Sequence, residues 1–99
     1  MKRQPTHPGA ILKEVLPALN AEYGVSVTRF ANDLHISRTQ LYAILDEKKS
    51  VTPNIAARLG KVLGNGAGIW LRLQQAYDLW EAENDLEDIL VDMPVYKVA

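Results

Sequence analysis

The side chains best suited to recognition chemistry lie together at the start of one short amphipathic segment, Ser37-Arg38-Thr39-Gln40. An arginine can donate two hydrogen bonds to guanine, a glutamine can pair with adenine, and a threonine can contact a thymine methyl or a phosphate. One helical turn further on, Ala43 offers only a methyl group. These residue types at this spacing are suited to contact the edges of DNA bases. The residues predicted to contact the bases of DNA are Arg38, Thr39, Gln40 and Ala43.

Groups that can bind phosphate surround this segment. Ser37 is predicted to cap the N-terminus of the helix, where free amides and the positive end of the helix dipole favour an anion. Lys48 and Lys49 follow the helix, where the chain should pass the DNA backbone. Ser26 and Thr28 begin the preceding helix and can reach a phosphate on the other side of the groove. We therefore predict phosphate contacts for all five.

Two short helices joined by a tight turn are predicted over residues 26–47 to position these side chains. Ser26 and Ser37 suit the N-caps of the two helices, and Ile36 supplies an apolar plug in the turn. A second helix placed in this way enters the major groove in helix-turn-helix proteins. The apolar residues at helical spacing, which we expect to be buried, are Phe30, Ala31, Leu34, Leu41, Ile44 and Leu45.

The polar start of the second helix also has a simpler interpretation. In that interpretation Ser37 is only a helix cap, and residues 38–40 form a solvated face. The length of the turn, the inward positions of Ala31 and Ile36, and the basic charge of the surrounding sequence favour DNA binding instead.

Three further helices are expected around this unit. In the first, Pro17 should kink the helix or end it before an exit loop at residues 20–24. Thr52 and Pro53 form a strong start signal, an N-cap followed by proline at the first helical position. The last helix is predicted to span about residues 67–84. The sequence therefore predicts an all-α fold with five helices.

Charge is divided unevenly along the 99 residues, although the formal net charge is only −1. Residues 1–75 hold ten Lys and Arg against five Asp and Glu, whereas residues 76–99 hold one Lys against seven acidic residues. The basic part suits DNA, and the acidic part should be repelled by phosphates and face another partner. The predicted divisions are a DNA-binding domain at 1–84, its dimer or core helix at 67–84, and an acidic C-terminal tail at 85–99.

Composition disfavours several classes of function. The chain has no Cys, and His7 and His35 lack further ligands at metal spacing, so we expect no disulfide and no metal. Residues 64–68 lack the strand and the Lys-Ser/Thr of a phosphate-binding loop, and no nucleophile has a base beside it. With no apolar run of membrane-spanning length and no signal peptide, we expect a soluble cytoplasmic protein that is not an enzyme, with no cofactor and no membrane partner.

An aromatic and apolar stripe runs along the last predicted helix. Trp70, Leu73, Tyr77 and Trp80 follow one another at spacings of three, four and three residues, as in helices that pack against a partner. Part of this stripe is predicted to be a homodimer interface and the rest to close the core of the monomer. Dimerisation is expected because two half-sites multiply the selectivity of one recognition helix.

The acidic tail at residues 85–99 has three interpretations. It is a solvated or disordered end, or its last five residues, VYKVA, pair as an edge strand with the other protomer. In the third interpretation it covers a basic surface on another protein.

Four segments resemble the HigA/VapI-type antitoxins, also called plasmid-maintenance antidote proteins, of the Xre-like (phage-repressor-like) helix-turn-helix superfamily. They are HPGAILKE at 7–14, FANDLHISRTQLYAILDEKKSVTP at 30–53, AARLGKVLG at 56–64 and WLRLQQAYDL at 70–79. The helix-turn-helix alone is typical of any repressor, and the WLRLQQAYDL extension distinguishes this family.

The resemblance implies a five-helix Xre-like domain that binds a palindromic operator as a homodimer and represses its own operon. It also implies neutralisation of a HigB-type, RelE-like toxin that cleaves mRNA. By position, Arg38, Thr39 and Ala43 fall where superfamily members touch base edges. Val27 and Lys48 fall where backbone amide or side chain meets phosphate.

The sequence departs from the family pattern at three positions. Ala43 replaces a residue that is often polar, Asp46 replaces a frequent Asn, and Pro17 lies within the first helix. Two alternatives to the antitoxin function stay open. One is a stand-alone Xre-family repressor without a toxin, and the other is a toxin-binding module whose DNA face has decayed.

Overall fold

A computed structural model describes residues 3–98 of the chain. Lys2, counted in the basic part, and Ala99, the end of the predicted tail, lie outside the described residues. The described chain folds into six helices and contains no strand. The helices are α1 (Pro8–Tyr23), α2 (Val27–Leu34), α3 (Arg38–Leu45), α4 (Pro53–Leu63), α5 (Ala67–Asp85) and α6 (Glu87–Asp92). The all-α prediction is confirmed, with a short sixth helix added to the predicted five.

Side-chain caps explain where the first four helices begin. In each case a side-chain atom of the residue before the helix accepts a hydrogen bond from a backbone amide of the first turn, which otherwise has no intrahelical partner. The predicted caps at Ser26, Ser37 and Thr52 are confirmed, and His7 is a fourth. The accepting atoms lie 2.9 Å from the amide of Gly9 for His7, 3.1 Å from Arg29 for Ser26, 3.0 Å from Gln40 for Ser37 and 3.3 Å from Ile55 for Thr52.

The hydrophobic core contains the apolar faces that helical spacing predicts for α2 and α3. All six predicted residues of these faces are buried, as are Leu12 and Leu16 of α1 and Ala56 and Leu59 of α4. Val62 of α4 is apolar but 39% exposed. Val51, in the loop before α4, is buried instead. The core is completed by Trp70 from α5.

The predicted end of the first helix is wrong. Pro17 does not end α1, which continues through the expected exit loop to Tyr23 and terminates at Gly24 in the left-handed conformation, with φ of 68°. Pro17 is exposed, so the carbonyl that loses its amide partner can bind water, while Leu16 and Leu19 on either side pack against the core.

The acidic tail contains a short helix that the sequence analysis did not predict, and the division of the chain at residues 84 and 85 stays a prediction. Leu86, Ile89, Leu90 and Met93 keep helical spacing up to Pro94, and α6 spans Glu87–Asp92. Residues 94–98 are neither helix nor strand and are exposed. The predicted strand pairing with a second protomer stays a prediction.

Two glycines allow helices to approach closely. A side chain at Gly9 would overlap the Ile44 carbonyl oxygen, so α1 lies against the backbone at the end of α3. A side chain at Gly60 would overlap the backbone of Gly66 and Ala67, so α4 lies against the start of α5. The Gly9 contact supports the end of α3, and the Gly60 contact joins α4 to α5. Within residues 3–98, no helix combines the length and apolarity needed to cross a membrane.

Candidate nucleic-acid interface

The turn between α2 and α3 is closed by backbone hydrogen bonds. His35 adopts the left-handed conformation with φ of 58°. The Ile36 amide donates to the Ala31 carbonyl at 3.1 Å, and the His35 amide donates to Asn32 at 3.0 Å. Ala31 is fully buried and Ile36 packs against the core, as expected. The turn therefore sets α3 at a defined angle to α2.

The N-terminal turn of α3 presents its polar side chains to solvent. Arg38, Thr39 and Gln40 are all exposed, and Ala43 is half-buried. The Arg38 Nη1 atom donates to Thr28 Oγ1 at 3.4 Å. This contact joins the predicted base-reading arginine to a predicted phosphate ligand on α2. The starts of α2 and α3 thus share one exposed face.

Gln40 exchanges hydrogen bonds with Ser37, which the sequence analysis did not predict. Its Oε1 atom accepts a hydrogen bond from the Ser37 amide at 3.0 Å, while Ser37 Oγ accepts from the Gln40 amide. This reciprocal arrangement is a capping box. A bidentate contact with adenine needs both the oxygen and the nitrogen of the amide. Gln40 would therefore have to leave the capping box to make that contact.

A groove of about 400 Å³ runs beside α3. Thr39, Gln40 and Ala43 line one wall. The facing wall comes from the loop after α3 and the first turn of α4, and consists of Lys49, Ser50, Thr52, Asn54 and Ile55. The groove therefore combines three of the predicted base-reading residues with one predicted phosphate ligand.

The loop that carries Lys48 and Lys49 is held at both ends. The amides of both lysines donate to the Ala43 carbonyl at 2.9 and 3.1 Å, which closes the end of α3. Further along, the Val51 amide donates to Oε1 of the buried Gln74 on α5 at 2.7 Å. The backbone of the loop is thus fixed, while both lysine side chains are exposed to solvent.

The two remaining predicted phosphate contacts lie at the starts of α2 and α3. Ser26 and Ser37 are exposed, and each uses its side chain as a helix cap. Val27 is the first residue of α2, so its backbone amide belongs to the first turn. Asp46, the acidic departure from the family pattern, lies 3.7 Å from the Lys13 ammonium. This ion pair offsets a negative charge at the end of α3.

The predicted dimer stripe on α5 is divided between core and surface. Trp70 is 2% exposed and donates from Nε1 to Asn65 Oδ1 at 3.1 Å. It therefore belongs to the core part of the stripe and cannot contact a partner, which corrects its assignment to the dimer interface. Leu73 packs against the core but is only partly buried, and Trp80 is also half-buried.

Tyr77 contacts its own chain as well. Its ring meets the buried His7 ring edge-on, with centroids 4.9 Å apart and an interplanar angle of 83°. Desolvation by neighbouring groups and the adjacent Glu81 carboxylate raise the pKa of the Tyr77 hydroxyl above its usual 10.0. The hydroxyl is therefore protonated at neutral pH.

Four polar residues that position the interface were missed by the sequence analysis. They are His7, Asn54, Arg58 and Gln74. For His7 a local signal existed, since it precedes a proline at the first helical position, where caps are expected. No local signal exists for the contacts that Arg58 makes with the turn and Gln74 makes with the loop, because those partners lie 23 or 24 residues away in the sequence.

Taken together, a capped and exposed second helix, a closed turn and a flanking basic loop define a helix-turn-helix DNA-binding protein. No model of a protein family matches the chain. Virulence-associated protein I of Dichelobacter nodosus is 37% identical over 93 residues, which cover 90% of the chain and 80% of that protein.

Solved structures agree in both fold and sequence. An addiction-module antidote protein of a HigA family from Coxiella burnetii has a TM-score of 0.80 and 30% identity, over 96% of the chain and 100% of that protein. Antitoxin GraA in complex with its operator has a TM-score of 0.79 and 33% identity, over 100% and 99% of the two chains. The chain belongs to the HigA/VapI-type antitoxins of the Xre-like helix-turn-helix superfamily, a family of DNA-binding proteins without enzymatic activity.

Proposed function

We propose that this protein binds operator DNA as a homodimer, represses its own operon in the cytoplasm, and neutralises a HigB/RelE-like toxin that cleaves mRNA. The observation that carries the DNA-binding part is the exposed, capped start of α3, where Arg38 lies 3.4 Å from Thr28 of α2. Antitoxin GraA, at 33% identity over the whole chain, was solved with its operator, which supports the same activity for this chain.

In the proposed complex, α3 enters the major groove and its first turn reads the bases. The base-reading residues are Arg38, Thr39, Gln40 and Ala43. The phosphate contacts are Ser26, Val27, Thr28, Ser37, Lys48 and Lys49. Arg38 supplies most of the sequence preference, because its guanidinium can hold guanine with two hydrogen bonds. The Arg38–Thr28 contact keeps that side chain beside the phosphate-binding end of α2.

Dimerisation would offer two recognition helices to a palindromic operator. The surface proposed for it comprises Leu73, Tyr77 and Trp80, extended by the exposed apolar side chains that follow on the same end of the molecule. Leu79 is 60% exposed and Ile89 is 58% exposed. Apolar surface of this extent on the last two helices is typical of an interface with another protein.

Toxin neutralisation rests on family membership and on charge. The acidic part at residues 76–99 opposes the basic surface that a ribonuclease needs in order to hold RNA. The tail at 85–99 is the proposed site of that contact, with a role in the dimer as the competing assignment.

The DNA-binding proposal is tested with Arg38→Ala. Its matched control is Arg72→Ala, which removes an exposed arginine from α5. We expect Arg38→Ala to lose about 1–3 kcal/mol on an operator duplex selected by the wild-type protein, with relaxed preference at one base pair. The control should bind as the wild type does. If Arg38→Ala binds every duplex with wild-type affinity, α3 is not the reading helix.

The toxin proposal is tested by co-purification with the full tagged chain from the cells that encode it. A supporting result is a small basic protein that cleaves mRNA during translation and is inhibited by the added chain. A chain that represses transcription and yields no such protein would instead be a stand-alone repressor.

A truncated chain lacking residues 85–99 separates the two assignments of the tail. We expect it to keep operator affinity and lose the toxin. Loss of operator affinity would place the tail in the dimer interface.

A further inference from the structure

One arginine outside the DNA-reading face ties α4 to the turn that aims α3. Arg58 lies in the middle of α4 and is half-buried. Its Nη1 atom donates to the Leu34 carbonyl at 2.9 Å and to the His35 carbonyl at 3.2 Å. Its Nε atom donates to Asn54 Oδ1 at 2.7 Å. Two of these hydrogen bonds join α4 to the end of α2, and the third is made within α4.

The carbonyls that Arg58 holds are those of the turn itself. The last carbonyls of a helix have no intrahelical donor, and a positive charge near them is favourable. His35 is the left-handed residue at which the chain leaves α2, a conformation that residues other than glycine adopt only when their surroundings hold them there. Arg58 supplies both the donors and the charge at this point. Its bonds therefore stabilise the angle between α2 and α3.

The third hydrogen bond reaches the groove beside α3. Because Arg58 can only donate, the Asn54 oxygen must face it, and the Asn54 amide nitrogen is left to donate elsewhere. Asn54 lines the groove opposite Thr39 and Ala43. Arg58 therefore orients a hydrogen-bond donor on the far wall of the groove as well as the turn.

We propose that Arg58 is the positioning residue of the DNA-reading unit, acting through the turn and through Asn54 rather than by touching DNA. The proposal rests on the operator binding proposed above. A lysine at this position would keep the charge but could not reproduce the fork that binds two carbonyls and an amide oxygen at once. Sequence-specific binding should then fall, because it needs α3 at a fixed angle. Non-specific binding depends on charge and should persist.

The test compares Arg58→Lys with Lys61→Ala, which removes an exposed charge from the next turn of the same helix. Each protein is titrated with a duplex selected by the wild type from a random pool, and with a scrambled duplex of equal composition. Titrations run at several salt concentrations, at a temperature where circular dichroism shows every variant folded.

For Arg58→Lys we expect roughly tenfold weaker binding to the selected duplex, as for the loss of one charge-assisted hydrogen bond. Affinity for the scrambled duplex should stay within about twofold, and the salt slope should not change. Lys61→Ala should keep the wild-type ratio between the two duplexes. Asn54→Ala removes the oxygen that Arg58 holds and the amide donor beside the groove but leaves the two bonds to the turn, so it should give a smaller loss of the same kind.

Two results would overturn the proposal. Wild-type discrimination in Arg58→Lys would show that the fork is not needed. An equal loss on both duplexes would show that Arg58 does not act through the angle of α3. If the wild-type protein itself does not distinguish the duplexes, the proposed function fails, and that outcome is separate from either result.

Discussion

Residues 3–75 and residues 76–98 differ in the burial of their apolar side chains. In the first region, twelve hydrophobic residues from Leu12 to Trp70 form one buried core. In the second, no described residue is buried, and Val91, Val95, Tyr96 and Val98 are each at least 80% exposed. The two regions also differ in sign of charge, since the first is basic and the second acidic.

The basic region buries a hydrophobic core within one chain, whereas the acidic region leaves its apolar side chains without such a core. The basic region completes its turn and its core within one chain, caps its first four helices with side chains, and carries the proposed DNA-reading face. The acidic region has apolar surface at helical spacing and little to bury it against. Exposed patches of this kind mark interaction sites. The proposed function therefore assigns DNA recognition to the basic region and most of the protein–protein contact to the acidic region.

The largest expected effect comes from Phe30→Ala, set against Ile89→Ala. Phe30 is fully buried, so removing its ring should lower the free energy of unfolding by about 3–5 kcal/mol. Ile89 is 58% exposed, and its truncation should change stability by less than about 0.5 kcal/mol in the monomer. Urea unfolding at low protein concentration measures both. A large loss for Ile89→Ala would mean that the acidic region is buried in an assembly even under those conditions.

A smaller effect on stability is expected from Gly60→Ala, which tests how tightly α4 packs against the start of α5. The added methyl would overlap the backbone of Gly66 and Ala67 and should cost about 1–3 kcal/mol in thermal unfolding. Gly68→Ala is the matched control, because its methyl would meet only the movable Arg72 guanidinium. Equal stability of the two variants would contradict the tight packing of α4 on α5.

The smallest effect concerns charge. Lys49→Ala should weaken binding to all duplexes alike and reduce the slope of affinity against salt by about one unit, because one phosphate contact is lost. Glu87→Ala, in the acidic region, should leave that slope unchanged. Affinity measured from low to moderate salt checks both. A change of slope for Glu87→Ala would place the acidic region close to the DNA.

Sequence alone determined the local parts of this protein. Ser26, Ser37 and Thr52 cap helices where they were expected to, since a cap depends on atoms within three residues. The buried faces of α2 and α3 followed from helical spacing. The family also follows from the sequence, because its distinguishing segments are continuous stretches of chain.

Only the tertiary structure decided which of several partners a side chain takes. It placed Trp70 in the core and gave Gln40 a place in a capping box, and it let α1 continue past Pro17 because that face is exposed. Besides a neighbour in its own helix, each of Arg58 and Gln74 binds backbone 23 or 24 residues away. Such contacts exist only after the helices have packed, because their geometry depends on how distant segments meet and not on the spacing of residues along one helix.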